Sequence, residues 1–280
     1  MRKRLTILAT LAFAMASSAL ATAKALPWKE LDRDSSLMPN ERDEVAALLE
    51  TTKSYHRCKK SVLACLASND PIAWRIARYV VFLSGKGLSK AEIQRALELR
   101  QESALPKTPK KIPLTGAPKL GPQKPQVTIV EYADFQCGHC AEVSPLLKKI
   151  VARYSKQVAL VFKPYPLRPG AAVIAARAAL AAQRQGKFWQ LHDLLFARPQ
   201  DHTDQGVKRL AKQAGLDLAR FAADFADKQL LKQIDLTKVE GIRLGIRGTP
   251  TVYVNGKQFK LIKDERHLND RIGEELEMLR

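Results

Sequence analysis

The sequence predicts an α/β domain in which a βαβ unit is separated from a ββα unit by a long helical insertion, with a small all-helical module ahead of it. Three observations carry that prediction. A β-branched run, Val127-Thr128-Ile129-Val130-Glu131-Tyr132, is followed by a helical pattern from about Gly138 to Tyr154 and then by a second apolar run, Val158 to Phe162. The chain then reads as helix until Gly248-Thr249-Pro250, after which strand patterning returns. Upstream, residues 40–101 show helical spacing alone.

The chain opens with Met1-Arg2-Lys3-Arg4, an apolar stretch from Leu5 to Ala16, and small residues through Ala23. This is the n-region, h-region and cleavage site of a secretory signal peptide, residues 1–23. The apolar run is shorter than the ~20 residues needed to span a bilayer, so the expectation is export to the periplasm, cleavage, and no stable membrane insertion afterwards. Residues 24–105 form the helical module: Val45, Leu48 and Leu49, then Val62, Leu63 and Leu66, then Ile76, Tyr79, Val80 and Leu83, then Ile93 and Leu97 recur at helical spacing. Breaks fall at Asn69-Asp70-Pro71 and Gly85-Lys86-Gly87. Residues 106–125 are rich in proline and lysine and read as an extended, semi-rigid linker. Residues 126–280 hold the α/β domain. Its insertion comprises helical stretches from Ala171 to Gln183, Phe188 to Phe196, Gly206 to Ala214, Leu218 to Phe225 and Gln229 to Leu244. Strands Thr251 to Val254 and Gln258 to Ile262 follow, joined by Asn255-Gly256-Lys257 with its hairpin signal, and a helix from Glu265 to Leu279 closes the chain. The order fits a thioredoxin-like sheet interrupted by a helical subdomain.

With 46% apolar residues over 280 positions, the chain is long enough for one substantial core and a smaller one, which excludes a disordered protein. The formal charge of +19 is scattered over helices and linker. With no nucleic-acid recognition motif, it reads as solubility and weak association with acidic surfaces, not as a nucleic-acid interface. The four cysteines are more informative, because in an oxidising compartment thiols pair or do redox work.

Cys137-Gly138-His139-Cys140 falls at a strand-to-helix junction. Two cysteines three residues apart on a first helical turn lie within disulfide range. Cys137, at the helix start, is expected to meet the positive end of the macrodipole and unpaired amides, which suit a nucleophilic sulfur. It is the expected nucleophile, and Cys140, one turn in and shielded, the resolving cysteine. His139 places a donor or a positive charge beside the thiolate. A zinc site needs further ligands in close spacing, and none accompanies this pair, so no metal is expected. Cys58 and Cys65 would stand about 10.5 Å apart on an unbroken helix, too far to bridge. A structural disulfide between them requires a bend near Cys58; free thiols or a redox relay are the alternatives.

The stretch from Val127 through Ala133-Asp134-Phe135-Gln136 to Cys140 resembles the active-site region of the DsbA-like thioredoxin-fold family. Lys187-Phe188-Trp189-Gln190-Leu191-His192-Asp193 and Leu244-Gly245-Ile246-Arg247-Gly248-Thr249-Pro250-Thr251 extend the resemblance, which covers about Gln126 to the C-terminus. It implies a cis-proline loop at Thr249-Pro250, with Pro250 shaping a groove and the Thr249 backbone pairing with an extended client. It also implies exchange of a disulfide with protein thiols through a mixed disulfide at Cys137, a membrane redox partner, and no cofactor. Gly138-His139 is the dipeptide associated with isomerases of such families, whereas strong oxidases carry Pro-His, so isomerase or reductase is the alternative within the class. Outside it, the groove could serve a non-catalytic periplasmic binding or chaperone module. Glu131 shares strand parity with Val127 and Ile129 and so faces a buried side. The resemblance places it at the family's buried acid near the redox pair, where it is expected to relay a proton to or from Cys140; the alternative is a strand-end glutamate in solvent or paired with Lys163. His192 is read as a packed or surface histidine, and His56, His202 and His267 form no constellation.

Overall fold

The computed structural model describes residues 26–33 and 36–280. The expected signal segment, 1–23, lies outside the described residues. Two compact units divide the described residues, one running up to Glu102 and including Glu277–Arg280, the other Ser103–Leu276.

The first unit is helical, with α1 (Trp28–Leu31), α2 (Pro39–Thr51), α3 (Val62–Leu66), α4 (Pro71–Ser84) and α5 (Lys90–Ala104). Its sequence breaks are helix caps. The Asp70 carboxylate accepts from the Ala73 amide at 2.8 Å, and Pro71 occupies the first helical position, where its missing N–H costs nothing. Val45, Leu49, Val62, Ile72, Ile76 and Val80 are buried together. Between α2 and α3 the chain leaves the helical path, and Lys53 bridges Ser61 in antiparallel fashion. That bend brings Cys58 to a Cα separation of 5.8 Å from Cys65, and the two are disulfide-bonded.

The second unit holds β1 (Lys119–Leu120), β2 (Val127–Ala133), α6 (Gly138–Arg153) and β3 (Val158–Pro164). The insertion follows as α7 (Ala171–Gln183), α8 (Phe188–Ala197), a 3₁₀ turn (Pro199–Asp201), α9 (Asp204–Gln213), α10 (Leu218–Ala226) and α11 (Lys228–Leu244). The chain ends in β4 (Thr251–Val254), β5 (Lys257–Gln258) and α12 (Glu265–Met278). The sheet runs β1-β3-β2-β4-β5, with β2 parallel to β3 and antiparallel to β4. A parallel neighbour requires a crossover, which α6 supplies. One core joins Ala133, Phe135, Cys140 and Phe162 to the insertion through Leu180, Leu191, Leu195 and Phe221; another gathers Val130, Tyr132, Val161, Tyr165 and Tyr253. Alternate residues of β2 thus feed different cores.

Two expectations differ from the structure. Part of the segment read as a linker, 106–125, belongs to the second unit. Lys110 N–H donates to the Gly256 carbonyl at 2.7 Å, Ile112 and Ala117 pack against the second core, and β1 pairs antiparallel with β3. The last strand is also shorter than expected. Asn255 and Gly256 both take positive φ, as a two-residue hairpin turn demands, and Phe259 still donates to Val252. The ladder then ends, because the Lys260 amide turns to Ser103 Oγ at 2.9 Å. Among the described residues, no helix is long and apolar enough to cross a membrane.

Candidate active site

The end of β2 is held by Asp134. Its two carboxylate oxygens accept from the Gln136 and Leu167 amides, each at 2.8 Å, and its carbonyl accepts from Cys137 N–H at 3.0 Å. This fixes the turn that starts α6 at Cys137. Cys137 is the N-cap residue, in extended conformation, and its carbonyl takes the amides of Cys140 (3.0 Å) and Ala141 (3.1 Å). Cys137 is therefore half-buried at the positive end of the helix, while Cys140, one turn in, is fully buried; both thiols are free. Gly138 and His139 are exposed between them. The Gln136 side chain is held by the Pro199 carbonyl and by buried His202, a residue with no local signal tying it to the Cys137 turn.

The Thr249–Pro250 bond is cis, and the Cys137 thiol lies 3.5 Å from the Thr249 carbonyl. Burial pushes the Cys140 thiol well above the usual cysteine range. The charges of Cys137 and Glu131 add to this, while contacts from the Asp134 backbone and the Thr249 hydroxyl oppose it.

Glu131 is completely buried. It stands in register with Phe162 on β3 and Val252 on β4, and so on the face of the core that includes Cys140. The hydroxyl of Ser144 on α6, one turn beyond Cys140, lies at hydrogen-bond distance, 3.0 Å, from Glu131 Oε2, whereas Oε1 has no partner. Burial lifts the carboxyl to about 8, against the pull of the Ser144 bond. Lys163 turns to the other side of the sheet, where it pairs with Glu240 at 3.1 Å, an acid that also accepts from Tyr132 OH. Neither solvent nor Lys163 attends Glu131.

His192 is a packed histidine, as expected, but it is also bonded to this acid through Ser144. It is 1% exposed and edged by Phe135, Phe162 and Phe196, with Nε2 3.0 Å from Ser144 Oγ and Nδ1 2.8 Å from Asp193. The only sequence signal for Ser144 was its place four residues after Cys140, on the same helical face. His192 comes from another helix, and nothing local linked it. Cys58 and Cys65 belong to the other unit and are already bonded.

A family profile described as Thioredoxin matches residues 115–272. Among solved structures, a thioredoxin-like oxidoreductase from Silicibacter pomeroyi DSS-3 is 29% identical, with 57% of this chain and 92% of that one covered and a TM-score of 0.53. A periplasmic thioredoxin-like protein from Salmonella enterica serovar Typhimurium is 27% identical, covering 60% and 99%, with a TM-score of 0.50. Among curated proteins, Na(+)/H(+) antiporter NhaA 3 of Salinispora tropica is 35% identical over 144 residues, 49% of this chain and 21% of its own length. The chain spans about a fifth of that relative, so the activity in its name stays with it.

Proposed function

Because the chain belongs to the thioredoxin family and is DsbA-like in fold, we propose that it is a thiol–disulfide oxidoreductase exchanging a disulfide between Cys137–Cys140 and protein thiols in the periplasm. The observation that carries this reading is the pairing of one accessible sulfur at a helix N-terminus with a buried one a turn away, beside a buried acid.

From the oxidised pair, a client thiolate attacks Cys137 Sγ, the Cys137–Cys140 bond breaks, and Cys140 leaves. A sulfur whose thiol is so weak an acid is a poor leaving group as thiolate, so it needs a proton as it departs. Glu131, protonated at neutral pH because its pKa is near 8, supplies it. A second client thiolate attacks the client sulfur of the mixed disulfide and Cys137 leaves. The client is oxidised by two electrons and the pair is left as two thiols. In reverse, Glu131 takes the Cys140 proton. His139, exposed beside Cys137, offers a donor to the departing sulfur, and the Thr249 backbone beside Pro250 receives an extended client by strand pairing. No metal, nucleotide or flavin enters the cycle; a membrane redox partner re-oxidises the pair. The leader-like segment 1–23 and the likeness to a periplasmic protein support the location.

The Gly138-His139 dipeptide favours a second reading, isomerase or reductase. The oxidised protein, mixed with a reduced unfolded peptide carrying two cysteines, should form one peptide disulfide per protein, and Cys137→Ser should abolish this. No transfer by the wild type would overturn the proposal. A reduction potential near about −270 mV, the thioredoxin value, would select the second reading.

A further inference from the structure

Resting on the reading of Glu131 as the proton partner of Cys140, we propose that Ser144 and His192 form a proton store for that acid, letting Glu131 change charge inside the fold. Ser144 Oγ lies 3.0 Å from both Glu131 Oε2 and His192 Nε2, and His192 Nδ1 lies 2.8 Å from Asp193 Oδ1. One hydroxyl between an acid and an imidazole has two fully bonded arrangements. In the first, protonated Glu131 donates to Ser144, Ser144 donates to Nε2, and Nδ1–H donates to the Asp193 carboxylate. In the second, Ser144 donates to ionised Glu131, Nε2–H donates to Ser144, and the imidazolium still donates from Nδ1 to Asp193. They hold the same number of protons. Two hops convert one into the other: Glu131 to Ser144, and Ser144 to His192.

The groups around His192 fit the first arrangement as the resting one. Burial lowers its pKa, and nearby Lys148 on α6 acts in the same direction; the bond and charge of Asp193 oppose both. Asp193, itself paired with Lys148, is about half exposed and gives the imidazolium a counter-charge open to water. On Glu131 the acting groups are Ser144 and the surrounding burial, and its charge is felt at Cys140. The second arrangement supplies what attack by Cys140 needs. Glu131, ionised with its proton parked on His192, takes the Cys140 proton as the Cys140–Cys137 bond forms and the client leaves from Cys137 as thiolate. The site then carries one proton above rest, and loss of that proton from the His192 Nε2 side restores the first arrangement, with Nδ1–H still on Asp193. Ser144, His192 and Asp193 have the atoms of an acyl-transfer triad, but Ser144 is fully buried and meets no substrate. Ser144 and His192 are positioning residues, acting through Glu131.

The test compares Ser144→Ala and His192→Gln, the second keeping hydrogen-bonding capacity without a titratable ring. The Glu131 carboxyl, followed by carbon NMR, should titrate jointly with His192 in the wild type. In each variant its midpoint should rise by about one pH unit, because Ser144→Ala removes the hydroxyl that donates to ionised Glu131 and His192→Gln removes the ring that takes up its proton. The rate of mixed-disulfide resolution at pH 7 should fall about tenfold, with its pH profile moved upward to match. On a Glu131→Gln background, His192→Gln should cause no further loss. An unchanged Glu131 midpoint in folded Ser144→Ala or His192→Gln protein, or losses that multiply on that background, would overturn the proposal. The NMR arm needs no exchange activity, so an inactive wild type would strike the function proposed above and leave this arm decisive.

Discussion

Replacing Glu131 with glutamine should change how the stability of the second unit depends on pH. The carboxyl has an ordinary value of 4.5 and is lifted to about 8 by complete burial. The folded state therefore keeps a proton that the unfolded chain has lost throughout that interval. Where the folded state binds more protons, stability falls as pH rises. Below 4.5 both states are protonated and Glu131 costs nothing by titration; above about 8 the full penalty is present. At 1.36 kcal/mol per unit, the shift amounts to about 5 kcal/mol as an upper bound. Glu131→Gln mimics the protonated form and removes the titration. Denaturant unfolding, followed through Trp189 with Trp28 and Trp74 replaced by phenylalanine in both proteins, compares the two at pH 5 and pH 9. The variant should match its parent to within about 1 kcal/mol at pH 5, the scale of one altered hydrogen bond. At pH 9 it should be the more stable by several kcal/mol. Other titrating groups are common to both proteins and cancel in the difference. Parallel stability curves would mean that Glu131 titrates alike in folded and unfolded chains, and so that its burial does not raise its pKa.

Two further outcomes are expected. Replacing both Cys58 and Cys65 with alanine should lower the stability of the helical unit by about 2 kcal/mol, the chain-entropy value for so short a loop. It should leave disulfide exchange at Cys137 intact, as calorimetry and an exchange assay on the same preparation would show. Gly241→Ala should destabilise the second unit by about 1–3 kcal/mol in denaturant unfolding, because a Cβ there overlaps the Tyr165 ring packed against α11.

The parts of the fold that were legible in the sequence are those whose causes are local. Asp70-Pro71 announces a helix start because a capping carboxylate and a residue without an amide proton suit that position, and Asn255-Gly256 announces a hairpin because its turn needs positive φ twice. Cys137 and Cys140 were legible for the same reason, their spacing being read at a strand-to-helix junction. What was not legible depends on partners far along the chain. Proline and lysine make 106–125 look free, yet the Lys110 amide is taken by Gly256 and β1 by β3. Strand parity gave Glu131 a buried face but not its bond to Ser144, and Lys163, the partner weighed for it, is claimed by Glu240 on the opposite face. His192 read as packing because its apolar neighbours lie in its own helix, whereas the atom that gives it a chemical role lies 48 positions away.

A trap catches the mixed disulfide through which Cys137 exchanges its bond with Cys140 for one with a client sulfur. Cys140→Ser protein, incubated with a client whose cysteines are already bonded and analysed by non-reducing mass spectrometry, should carry the client covalently on Cys137 and release it on reduction. A folded Cys140→Ser protein that forms no adduct, or forms it at Cys58 or Cys65 instead, would contradict the account.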